Sequence, residues 1–121
     1  MGTTLERLVR LMDSAGRLDH KVNAALGRQA FLKHAPTIEC ADGFHMSVQA
    51  SEFHYCTPRN SVGPWSTVEV GFPSERVETL MPFIDGGPDE DPTDTVYGYV
   101  PIELVADVID AHGGFATSFP A

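Results

Sequence analysis

The sequence predicts an α+β protein: one antiparallel sheet of three to five strands, with an N-terminal helical hairpin and a C-terminal helix packed on one face. Three observations lead there. Apolar residues recur with helical spacing near both ends of the chain, the period shortens to two across the middle, and Gly- and Pro-rich punctuation falls where the period changes. The 121 residues are enough for one domain and too few for two ordinary ones. They divide into a helical hairpin over 1–27, a sheet over 44–100 and a C-terminal helix over 101–113.

Leu5, Leu8, Val9 and Met12 repeat at i, i+3, i+4, i+7 and put one apolar stripe on a first helix. Ser14 to Gly16 supplies its stop, with Gly16 free to take a left-handed cap position. Leu18, Val22, Ala25 and Leu26 repeat the spacing on a second short helix that Gly27 closes. From Phe44 the alternation is that of a half-buried strand: Phe44, Met46, Val48 and Ala50 on one face, His45, Ser47, Gln49 and Ser51 on the other. Glu52 to Thr57 extends that strand after a bulge or parity shift. Pro58 to Pro64 has the chemistry of a connecting loop, and Val68, Val70 and Phe72 then alternate on a partner strand. The pair reads as a hairpin.

Asp85 to Asp94, "DGGPDEDPTD", combines Gly, Pro and carboxylates that cannot bury themselves, so it is an exposed loop. Thr95 to Val100 is a further strand. Pro101 suits a helix start, because its missing N–H is one the helix would leave unpaired. Ile102, Val105, Ala106 and Ile109 form the apolar stripe of that helix, and Gly113 and Gly114 stop it. Helices on one face cover Met46, Val48, Val68 and Val70; His45, Ser47, Gln49, Thr67 and Glu69, joined by Tyr97 and Tyr99, occupy the other.

Charge narrows the function classes. The net charge of −9 opposes binding to nucleic acid through its phosphates, which requires a positive surface. No apolar run approaches the length of a membrane span, and the first ten residues lack the pattern of a secretory signal. A cytoplasmic protein is expected, with Cys40 and Cys56 as reduced thiols.

Cys40, His45, His54 and Cys56 offer two thiols and two imidazoles, a donor set zinc accepts, but their spacing matches no common zinc module; no metal or cofactor is inferred. Cys56 with His54 two residues before it on a strand resembles a nucleophile and base. Their tips would stand some 6 to 7 Å apart by strand rise, too far for a direct hydrogen bond. A binding site draws on more of the segment: Ser47, Gln49, His54, Tyr55, Thr57, Arg59, Asn60 and Trp65 gather stacking rings, directional hydrogen-bonding groups and one forked cation around a single turn. Arg59 is the one Lys or Arg between Lys33 and Arg76. The competing reading is a solvated hairpin face with Trp65 packed beside the sheet, and the sequence leaves the two level.

The segments "MSVQAS", "HYCTPR", "GPWSTVEVGFPS" and "DTVYGYVP", with "HGG" after them and "GRLDHKVNAALG" before them, resemble small accessory proteins of tailed phages and prophages, a group with no established activity. That resemblance implies an inhibitor or sequesterer of host defence rather than a metabolic enzyme. Two functions follow as expectations. One is a non-catalytic, homo-oligomeric binder that sequesters a small anionic, nucleotide-derived signal in the host cytoplasm. The other is an acidic inhibitor whose Asp85, Asp89, Glu90, Asp91 and Asp94 mask a basic, nucleic-acid-binding host protein. A Cys56-dependent hydrolase is a remote third.

Overall fold

The structure, a computed structural model, describes residues 3–13, 37–60, 63–87 and 89–119. In chain order it contains helix α1 over 4–13, strands β1 (Ile38–Glu39), β2 (His45–Gln49) and β3 (Thr67–Gly71), a 3-10 helix (Glu78–Phe83), strand β4 (Val96–Pro101) and helix α2 (Ile102–Ala111). The four strands pair antiparallel in the order β1-β2-β3-β4. The α+β architecture is the expected one, although the sheet begins earlier than the alternation indicated, at Ile38. The second helix of the anticipated hairpin, Leu18 to Gly27, and the stop at Ser14 to Gly16 lie outside the described residues.

Cross-strand partners Val48 and Val70, then Val68 and Val100, place their side chains on one sheet face, where all four are fully buried with Met46. Helix α2 lays Ile102, Val105, Ala106 and Ile109 into the same core, as its spacing predicts, and adds Val108. Helix α1 contributes Leu8 and Met12. Its stripe is rotated from the expected one: Val9 is exposed, and Leu11 packs against the core instead. Leu11 and Val9 flank the Leu8–Met12 line on opposite sides, and the neighbouring elements cover only one flank. Thr3 caps this helix by accepting the Glu6 N–H at 3.1 Å, satisfying one of the donors a helix start leaves open.

The registry of β4 holds the largest departure from simple alternation. Val68 faces Val100 but Val70 faces Tyr97, so Gly98 and Tyr99 together oppose Glu69, a β-bulge. The extra residue reverses parity. Tyr97 points into the core with no exposed surface while Tyr99, two residues on, stays half exposed. Both tyrosines were expected on the polar face; the bulge takes Tyr97 away from it, and its hydroxyl donates to the Pro92 carbonyl. Tyr99 adopts a left-handed φ of 55°, which costs a side-chain-bearing residue about 1–3 kcal/mol.

Strand β4 runs directly into α2, with Pro101 ending the one and capping the other and the Ile102 N–H donated to Ser66 O at 3.0 Å. Both sheet edges are covered, β4 by a bridge from Ile84 to Tyr97 and β1 by the Ala116 N–H bonded to Glu39 O. Beyond α2, His112 stacks on Phe44 with ring centroids 4.0 Å apart and donates from Nδ1 to Asp42 at 2.7 Å. Asp42 also accepts the Phe44 N–H at 2.9 Å. That backbone bond and the His112 contact hold the Asp42 carboxyl below the usual carboxylate range.

Ile109→Ala removes a fully buried side chain and should destabilise the protein by about 2–5 kcal/mol in denaturant titration; unchanged stability would take α2 out of the core. A second expectation concerns pH. Because the folded state lowers the pKa of Asp42, its contribution is present above about pH 4, the ordinary aspartate range, and is lost as pH falls through the folded value. Asp42→Asn should therefore melt below the wild type at neutral pH, with the gap closing on acidification.

Candidate functional site

Residues 51–56, expected to prolong β2, form a turn instead. The strand stops at Gln49, and pairing with β3 resumes at a single bridge, Thr57 to Thr67. Ser51 organises the excursion. Its hydroxyl oxygen accepts the Phe53 N–H at 3.0 Å and lies in hydrogen-bond contact with His54 Nδ1 at 2.6 Å, and its carbonyl accepts the His54 N–H and the Cys56 thiol. A serine bonding the N–H two residues on is a turn signal that strand alternation obscured. The alternation survives in burial alone, with His54 and Cys56 inside and Phe53 and Tyr55 outside.

The turn closes over the β4 bulge. Tyr55 O accepts the Tyr99 N–H at 3.0 Å, and the Tyr55 N–H is donated to Glu69 Oε1 at 3.2 Å. Gly98 gives it room beneath, since a Cβ there would lie 3.1 Å from the Tyr55 Cβ and oblige the turn to shift by a few tenths of an ångström. The Tyr55 and Tyr99 rings come to a centroid separation of 6.0 Å, tilted by 42°. The Arg59 guanidinium stands 5.5 Å from the Tyr55 ring centroid, within cation–π range. Beside them lies an open cavity of about 310 Å³ lined by Tyr55, Phe83, Ile84, Asp85, Gly98 and Tyr99.

The eight residues singled out from sequence therefore separate. Tyr55 lines the cavity, and Arg59, which is not among the lining residues, stands against the Tyr55 ring. Ser47 and Gln49 form their own pair on β2, at 3.1 Å, with Gln49 directly opposite Glu69 and buried rather than on an open polar face. His54 is buried against Ser51. Thr57 serves backbone pairing, and Asn60 shapes the loop by accepting the Gly63 N–H on its side chain and the Trp65 indole N–H on its carbonyl. Trp65 is a core residue, 5% exposed, with its ring against Gly63, where a Cβ would come within 2.8 Å. That packing leaves little ring surface for a ligand. Phe83, Ile84 and Gly98 were not foreseen as part of a site, and Asp85 and Tyr99 were expected only on the acidic surface and on the polar sheet face, because nothing in their spacing joins the acidic loop to the 51–56 turn.

The thiols are built for packing. Cys56 donates to Ser51 O and Pro58 O, and burial pushes its pKa up; burial, with help from Asp42, pushes Cys40 up to about 11. A protonated, hydrogen-bonded Cys56 is not an activated nucleophile. Among the described residues, His, Cys, Asp and Glu form no group of three or more suited to a metal ion, and both cysteines are free. No helix of the described residues is long and apolar enough to cross a membrane.

A second groove, of about 420 Å³, runs between the 3-10 helix and α2 and is lined by Val77, Leu104, Val108 and His112 with Glu78 and Asp107. Its acidic lining groups, Glu78 and Asp107, have their counterpart in Asp85 of the first cavity, but the first cavity alone has a guanidinium, that of Arg59, against the ring of one of its lining residues, Tyr55. Arg76 is already paired with Glu78, whereas Arg59 makes no ion pair among the described residues. Comparison with protein-family models, with curated proteins and with solved structures finds no match to this chain.

With its pKa raised from 9.0 to about 11, Cys40 carries roughly a hundredfold less thiolate than an ordinary cysteine at the same pH. Both thiols should resist a thiol reagent in the native protein and react fully, without reductant, once it is unfolded. Rapid native labelling of Cys56 would reinstate it as a reactive group.

Proposed function

We propose that the protein is a non-catalytic binder of a small anionic ligand of the nucleotide class, held beside Tyr55 and Tyr99 with its phosphate on Arg59. The observation that carries this reading is the Arg59 guanidinium 5.5 Å from the ring centroid of Tyr55, itself one of the aromatic residues that line the cavity. A nucleobase stacked on an aromatic ring gains about 1–3 kcal/mol, and a charge-assisted bond to phosphate about 1.5–3 kcal/mol. Strained backbone at a non-glycine residue, as at Tyr99, concentrates at ligand-binding positions. Together with the resemblance to phage accessory proteins, the biological role proposed is sequestration of a nucleotide-derived host defence signal in the host cytoplasm, by a homo-oligomer.

One observation favours a second reading. Asp85, Asp89, Glu90, Asp91 and Asp94 are all exposed, and such a surface complements a basic host protein.

The two readings separate by mutation. Small molecules released by heating the purified protein would be identified by mass spectrometry and titrated back calorimetrically. Arg59→Ala should weaken binding roughly tenfold to a hundredfold while melting stays near wild type, and Tyr55→Ala should act in the same direction. Neutralising Asp89, Glu90 and Asp91 should leave affinity unchanged or slightly improved. Full binding by Arg59→Ala would sink the cavity reading, and loss of activity in the neutralised loop alone would establish the acidic one.

A further inference from the structure

We infer that Asp85 makes this cavity selective for guanine among the bases, an inference that rests on the nucleotide-binding reading above. Asp85 lines the cavity together with the aromatic groups, and its backbone is fixed at both ends. Its N–H is donated to Val96 O at 2.9 Å, and its carbonyl accepts the Thr95 hydroxyl at 3.2 Å. The carboxylate itself makes no hydrogen bond or ion pair among the described residues. A residue pinned by its backbone, with an uncommitted side chain beside a stacking surface, is placed to read the edge of a stacked ring.

The chemistry of a carboxylate then decides which edge it reads. An ionised carboxylate has two acceptor oxygens and no donor. Guanine presents two adjacent donors, N1–H and the exocyclic N2 amine, and satisfies both oxygens at once. Adenine sets its N6 amine beside the N1 lone pair, and cytosine its N4 amine beside N3, so each offers one bond and one repulsion. Uracil flanks its single N3–H with two carbonyl oxygens. Sites that bond a polar edge reject analogues lacking it far more strongly than apolar pockets reject a change of size. The cavity, about 310 Å³, lies at the small end of ligand sites, suited to a base with its phosphate outside. Charge orders the ligand the same way: the acidic loop that Asp85 begins repels phosphate, and Arg59, over Tyr55, attracts it.

The test is calorimetric titration of the full chain with GMP, IMP, AMP, CMP and UMP. GMP should bind at least tenfold tighter than IMP, which lacks only the N2 amine, and tighter than the other three. Asp85→Asn replaces one acceptor by a donor at constant shape, so it should lose the GMP preference and bind AMP at least as well as GMP. Equal affinity of the wild type for all five would overturn the base assignment and leave the stacking-and-phosphate site standing. Absence of binding by any of them would remove both. A GMP preference that persists unchanged in Asp85→Asn would assign the recognition to another group.

Discussion

The β-bulge at Gly98–Tyr99 is the constraint on which both the core and the candidate site depend. One extra residue opposite Glu69 sends Tyr97 inward and leaves Tyr99 outward. Burying an aromatic side chain of this size contributes about 2–3 kcal/mol, comparable to the cost of the left-handed Tyr99. The distortion is sustained by what it gains elsewhere: the Tyr97 hydroxyl finds the Pro92 carbonyl, and the Tyr99 N–H finds the Tyr55 carbonyl. A buried hydroxyl without such a partner would have cancelled the gain.

The same bulge gives the 51–56 turn something to close on. Tyr55 is held by its own backbone at both ends, to Glu69 and to Tyr99, over a Gly98 that has no side chain to displace it. Ser51, His54 and Cys56 fill the inside of the turn with mutually bonded polar groups. Buried polar groups of this kind are tolerated when each finds a partner, and here they fix a turn that in turn fixes a ring. The exposed aromatic surface is therefore presented on supported backbone, which lowers the ordering cost of binding.

The acidic character of the chain and the proposed anion site are compatible because charge acts locally. Exposed charges beyond about 8–10 Å are largely screened at physiological salt, so the net charge of −9 bears weakly on a phosphate in contact with Arg59. Asp91 spends its carboxylate on the Thr93 backbone and hydroxyl, which lower its pKa, and so shapes its own loop. Asp85, at the start of that loop, is the carboxylate that borders the cavity.

What the sequence determined by itself was the part governed by periodicity. Phe44, Met46, Val48 and Ala50, the Val68 and Val70 pair, and the Ile102, Val105, Ala106 and Ile109 stripe entered the core as spacing requires, because strand and helix geometry fix which residues share a face. Phe72, expected beside Val68 and Val70, instead takes a left-handed φ of 51° past the end of β3 and is exposed, and Gln49 and Ser51, expected on the polar face, are buried. The exposure of the loop from Asp85 to Asp94 followed from composition. Tertiary structure decided the rest. Spacing cannot locate a bulge whose stability comes from partners elsewhere in the chain, so Tyr97 and Tyr99 look equivalent in sequence and are opposite in the fold. Trp65 and His54 carry polar handles that read as ligand groups until Asn60 and Ser51 are seen to occupy them. Tyr55 lines the cavity with Arg59 against its ring, and Asp85 and Tyr99 stand beside Tyr55 only because the turn folds across β4, a contact between distant segments that no local pattern encodes.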